Sequence, residues 1–125
     1  MMDSYFENSF AQFWISDGIL FFEYKSHIAI DLRAAQLIVA DRIRFQNGVS
    51  YPIFCDARGI LEMDKPARDF LAQSGSILAK AVGLLVHQQV SSSMSSFYLR
   101  VNKPRVPTKS FTDKASVLSF LASYI

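Results

Sequence analysis

The chain has one cysteine and two histidines in 125 residues, and its basic and acidic side chains nearly cancel. A single cysteine excludes an internal disulfide framework. Cys55 lies in the apolar run Tyr51-Pro52-Ile53-Phe54-Cys55, the setting of a buried, inert thiol in a reducing compartment. His27 and His87 are far apart, and neither stands at a metal-ligand spacing from Cys55, so no metal and no cofactor is expected. His87, just past an apolar run, reads as ordinary polar punctuation. Lys and Arg total 13 against 11 for Asp and Glu, too small an excess to hold a polyanion, which argues against a nucleic-acid partner. No apolar run reaches the length of a bilayer span, and Met1-Met2-Asp3-Ser4 is no basic leader. A cytoplasmic location without a membrane span is therefore expected.

Catalytic signatures are also missing. The sequence has no Gly-x-Ser-x-Gly elbow, no Gly-x-Gly-x-x-Gly and no Gly-Lys-Ser/Thr loop, which removes the main support for hydrolase, dinucleotide-binding and P-loop functions. Asp56, Glu62 and Asp64 come nearest to a carboxylate cluster. Asp64 is already accounted for as a helix cap, and no further polar group converges with the three, so a non-enzymatic chain is expected.

What is present is the composition of a globular protein, with half the residues hydrophobic and about a fifth charged. The length suits a single domain over residues 1–125, with residues 1–9 read as a flexible N-terminal arm. Eleven phenylalanines is high for this length; most are expected in the core, and any surplus would suit a partner or a second copy in a homodimer.

Along the chain, Asp17-Gly18 between the runs Phe13–Ile15 and Ile19–Lys25 predicts a β-hairpin. Asp31 is placed to cap a helix with Leu32, Ala35, Ile38, Val39 and Ile43 inward, and Arg33, Asp41 and Arg44 outward. Arg42 interrupts that apolar arc, with its stem expected over the core edge and its charge in water. Asn47-Gly48 closes the helix. Tyr51 to Cys55 reads as a short buried strand ending at Asp56, and Asp56-Ala57-Arg58-Gly59 as a turn. Asp64 and Pro66 open a second helix that presents Ala67, Phe70 and Leu71 inward and stops near Gly75. Ala81 to Val86 reads as a central strand. A third helix is expected after Ser91-Ser92-Ser93 with Met94, Phe97, Tyr98 and Val101 on one stripe. A short strand follows over Thr108-Lys109-Ser110-Phe111, and a last helix, capped by Thr112 or Asp113, buries Val117, Leu118, Leu121 and Tyr124. Alternation of this kind requires crossover connections. The fold class is α/β, a mixed and largely parallel sheet with an N-terminal hairpin and about four helices on one face or both.

This order of elements resembles the STAS domain, named for sulfate transporters and anti-sigma factor antagonists, and among its members the stand-alone bacterial STAS-like proteins. The resemblance spans roughly Phe13 to Tyr124. It is carried by the Asp17-Gly18 hairpin, the Asp31-capped helix, the strand ending in Phe54-Cys55-Asp56 before Ala57-Arg58-Gly59, the strand Ala81 to Val86, and the closing Thr108 to Asp113 with its helix. It implies a small regulatory module that binds another protein. In the antagonists, an Asp-Ser-Ser-Gly-like turn carries a phosphorylatable hydroxyl; here Asp56 and Gly59 match its ends while Ala57-Arg58 offers none, so that switch does not transfer.

The residues themselves offer one candidate site. Asp56, Arg58, Lys65 and Arg68 fall at the strand end and the start of the second helix, where exposed backbone N–H groups favour a partner's carboxylate or a phosphate. The ordinary alternative is a solvated, charge-balanced loop and helix face. The basic loop Lys103 to Lys109 admits the same two readings, as an anion contact or as protection of a sheet edge. A second function class, a carrier or sensor of a small apolar or anionic ligand (a lipid or a nucleotide) held between helices and sheet, stays open beside the protein-binding module.

Overall fold

The computed structural model describes residues 5–87 and 105–125. Its strands are β1 (Tyr5–Glu7), β2 (Ala11–Ser16), β3 (Ile19–Tyr24), β4 (Ile28–Ile30), β5 (Tyr51–Asp56), β6 (Ile60–Met63), β7 (Ala79–Leu85) and β8 (Thr108–Phe111). The helices are α1 (Leu32–Gln46), α2 (Lys65–Ser74) and α3 (Lys114–Leu121), the last running into a 3₁₀ turn over Ala122–Tyr124. Three helices therefore stand among the described residues where about four were expected. The fourth, with Met94, Phe97, Tyr98 and Val101, lies outside them. No helix among the described residues is long and apolar enough to cross a membrane.

Six strands form one sheet in the order β1-β2-β3-β5-β7-β8, and β4 and β6 form a separate two-stranded ribbon. β1, β2 and β3 pair antiparallel, whereas β3–β5, β5–β7 and β7–β8 pair parallel. The β2–β3 hairpin turns through Asp17 and Gly18, both at positive φ (52° and 79°), which gives the turn a twist that matches its strands. Tyr5–Glu7, in the stretch read as an arm, pairs along β2 from Tyr5↔Trp14 to Glu7↔Gln12. Its hydrophobic member explains this: the ring of Phe6 stacks on Phe13 at 5.1 Å, so the segment is anchored by an aromatic contact. Pro52 stands in a central strand, where the pairing with β7 shifts register between Tyr51 and Pro52, a place at which a missing N–H is tolerated.

Successive residues of β5 point to opposite faces, and each enters a different core. Ile53 packs with Phe13, Leu20, Phe22, Ala34, Ala35, Ile38 and Ala67 beneath α1 and α2. Phe54 packs with Ile19, Ala81, Leu85, Val117 and Leu121 beneath α3. Helices thus cover both faces. Asp31 and Asp64 cap their helices as expected, and of Thr112 and Asp113 it is Asp113 that caps the last, each carboxylate accepting from the backbone N–H three residues on. Asn47 ends α1 in the left-handed region at φ 51°.

Several orientations differ from the expected stripes. Leu32, in the first turn of α1, is 37 % exposed, and Leu118 of α3 is 39 % exposed. Asp41 and Arg42 are buried instead of facing water. Asp41 accepts from the Asn8 side-chain amide at 2.9 Å and from Arg44 at 3.2 Å, so the segment between β1 and β2 supplies the partner that lets a carboxylate face inward. Ile60–Met63, where the sequence predicts no element between the turn and the second helix, is a strand because the three-residue Ile28–Ile30 lies alongside it.

Candidate functional site

β5 ends at Asp56, whose side chain points to the α3 face with Phe54 two residues before it and is itself buried. The chain then turns through Ala57, Arg58 and Gly59. Asp56 Oδ1 accepts the Arg58 backbone N–H at 3.1 Å and its Nε–H at 2.9 Å, while Oδ2 accepts from Nη2 at 2.8 Å. This is a two-pronged guanidinium–carboxylate pair closed over a side-chain turn, the geometry that gives such pairs their directionality. The carboxylate of Asp56, with Glu23 adding to its field, holds the Arg58 guanidinium above its ordinary pKa. Glu23 stands beside Asp56 in the β3–β5 register and accepts from Gln12 Nε2 at 2.6 Å.

The start of α2 does not follow this turn directly, since β6 intervenes. Lys65, in the first turn of the helix, pairs with Asp69 one turn on at 2.7 Å, and its side chain is largely exposed. Arg68 donates Nη1–H to the Met63 carbonyl at 2.9 Å, folding back over the junction of β6 and α2. Of the four residues singled out, Asp56 and Arg58 form one ion pair with each other. Lys65 belongs to a second pair, and Arg68 is engaged with the backbone of the ribbon.

The chemistry open to this turn is limited by these contacts. Both oxygens of Asp56 are taken up by the Arg58 guanidinium, and Ala57 has no hydroxyl to take a phosphoryl group. Glu62 is exposed on β6 and Asp64 is committed to capping α2 through the Ala67 N–H at 2.9 Å. Among the described residues no three His, Cys, Asp or Glu side chains come together as metal ligands would. Burial pushes the Cys55 thiol up to about 12, with Asp56 adding to the shift, so at neutral pH it is no nucleophile. His27 and His87 are both exposed. Of the basic loop, Arg105 and Lys109 are described and exposed, and Lys109 lies over the Phe111 ring at 5.8 Å.

Sequence reasoning missed one polar constellation. Arg42, 3 % exposed on α1, donates from Nη1 to Gln46 Oε1 and from Nη2 to the Gly75 carbonyl at 3.0 Å, past the end of α2. Gln46 Nε2 in turn donates to the Val49 and Leu78 carbonyls at 2.9 and 2.8 Å. The interruption of the apolar arc at Arg42 was the available signal. The distant partners could not be read from it, because Gly75 and Leu78 offer only backbone carbonyl oxygens of a turn some thirty residues on.

Residues 13–125 match the family described as a domain of unknown function, DUF7793, and the chain belongs to that family. No curated protein matches the chain. Among solved structures it is similar to an uncharacterised protein of the DUF3478 family with a SpoIIAA-like fold, from Shewanella loihica PV-4. The identity is 14 % and the TM-score 0.59, with 93 % of this chain and 98 % of that one covered. The likeness is one of fold, and the STAS-like architecture expected from the order of elements is the one observed.

Proposed function

We propose, with membership of the DUF7793 family and a SpoIIAA-like fold as premises, that the chain is a non-enzymatic module that binds another protein through the surface from Asp56 to Arg68. The observation that carries this reading is the Asp56–Arg58 pair, which stands where a phosphate acceptor would be needed for a switch and closes the turn by itself. A turn fixed in this way offers a partner a constant shape. The Arg58 side chain is 41 % exposed and engages Asp56 through Nε and Nη2, so a carboxylate of the partner can approach the guanidinium's Nη1. Lys65, exposed in the first turn of α2, is the second charge we assign to this surface.

The test is crosslinking or affinity capture with the intact protein as bait, compared with Arg58→Glu and Lys65→Glu. Both variants are expected to lose the species retained by the unaltered chain. Lys65→Glu leaves the turn intact, so its effect separates surface charge from a disturbed turn. Retention of the same species by both variants would remove this surface from consideration.

A further inference from the structure

Apolar burial holds α2 less firmly than its neighbours. Its buried side chains are Ala67 and Ala72, with Phe70 and Leu71 half-buried against the core. α1 buries Ile38 and Val39 as well as two alanines, and the shorter α3 inserts Val117 and Leu121 at 0 % exposure. Alanine removes little apolar surface from water, so polar ties carry more of the attachment of α2.

Those ties sit at its two ends. At the start, Asp64 caps the helix and donates its own N–H to the Ile30 carbonyl at 3.2 Å. At the finish, the Gly75 carbonyl accepts from Arg42 of α1. Among the described residues no ion pair joins Arg42 to a carboxylate, and burial lowers its pKa to about 10. What compensates the buried cation is the carbonyl end of α2, the negative pole of the helix dipole, together with Gln46. The dependence runs both ways: the cation is well solvated only while the end of α2 is docked, and that end is fastened through the cation.

We infer that Arg42 is a latch holding the C-terminal end of α2 against α1, and that α2 opens as a unit ahead of the other described helices. The latch stands apart from the docking surface proposed above. Its relevance to docking rests on that reading, because Lys65 and Arg68 lie near the other end of the same helix.

The experiment is amide hydrogen exchange along the full chain, comparing the unaltered protein with Arg42→Met, which keeps an unbranched stem and removes every donor. Loss of a charge-assisted bond should speed exchange in the second half of α2 by about tenfold while α1 and α3 keep their rates. Unchanged α2 amides, or equal acceleration in all three helices, would overturn the latch. Should Arg42→Met fail to fold, Arg42→Lys is read by the same criterion, since one ammonium cannot span the Gln46 and Gly75 oxygens as the planar fork does. Exchange reports on the latch without a partner present, so its failure is distinguishable from failure of the capture experiment.

Discussion

Ile53 and Phe54 are neighbours on β5, and the two cores they enter seat their helices differently. On the α1–α2 side the space is filled by rings: Phe13 stacks on Phe6 and Phe22 at 5.1 and 5.4 Å and meets Phe45 edge-on at 5.2 Å. Polar side chains are buried on the same side, with Asp41, Arg42 and Gln46 fastening loops to α1. On the α3 side rings pack as well, Phe21 against Phe54 at 5.3 Å and Phe111 against Phe120 at 5.6 Å, but there the sheet is also hollowed to receive the helix. Gly83 lies opposite Phe54 in the β5–β7 register, and a β-carbon there would stand 2.7 Å from Val117 Cγ1, closer than packed atoms allow, with Leu121 Cγ in contact at 3.4 Å. A short helix comes down onto this notch and buries two branched side chains completely. One face should therefore be sensitive to removed volume and the other to added volume.

The largest expected effect is from Phe13→Ala, which removes the ring that three others contact. A loss of about 4 kcal/mol is expected, measured as a lower denaturant midpoint at unchanged slope. Gly83→Val tests the other face, where overpacking against Val117 should cost about 2 kcal/mol. If Gly83→Val is neutral while Phe13→Ala is severe, the notch is not what seats α3 and the comparison fails on that side. Asp64→Ala removes the α2 cap and should cost about 1 kcal/mol, with the change centred on α2 in hydrogen exchange. The smallest effect concerns Asp113, whose carboxylate accepts from the Ser116 N–H at 2.8 Å and hydroxyl at 2.9 Å and so titrates below its ordinary value. A depressed carboxylate contributes its stabilisation above its unfolded-state pKa and loses it as pH falls through the folded value. The start of α3 should fray only in acid, and a carboxyl titration of Asp113 by NMR with an ordinary midpoint would remove the effect.

Much of the architecture was legible because it depends on local signals. The Asp17-Gly18 turn and the Asp31 and Asp64 caps are chemical features of a few adjacent residues, and each appears where expected; of the two candidates for the last cap, Thr112 and Asp113, the structure uses Asp113. The apolar runs that became β5 and β7 have the length and composition of buried strands. The β4–β6 ribbon was not legible, since neither three nor four residues carry a pattern and each is a strand only beside the other. Ion pairing inside the Asp56-Ala57-Arg58-Gly59 turn could have been anticipated from its spacing. The separation of that turn from α2 by β6 could not.

Eleven phenylalanines likewise left open whether aromatic surface would remain for a partner. Among the described residues no phenylalanine is an exposed large hydrophobic; Tyr5, at 37 %, is the one aromatic that is.

Taken alone, the residue order determined where α1 and α2 begin, where the hairpin turns, that the sheet is largely parallel, and that the turn after β5 lacks a hydroxyl. These follow from interactions within a few residues or from the connection lengths that parallel strands require. Tertiary structure decided which face each helix covers, that Arg42 is buried against the end of α2, and that Asp56 and Arg58 close on each other while Lys65 turns to Asp69. The physical reason is that a buried charge or a helix face has no preferred place until a partner, often a backbone carbonyl far along the chain, has been brought to it.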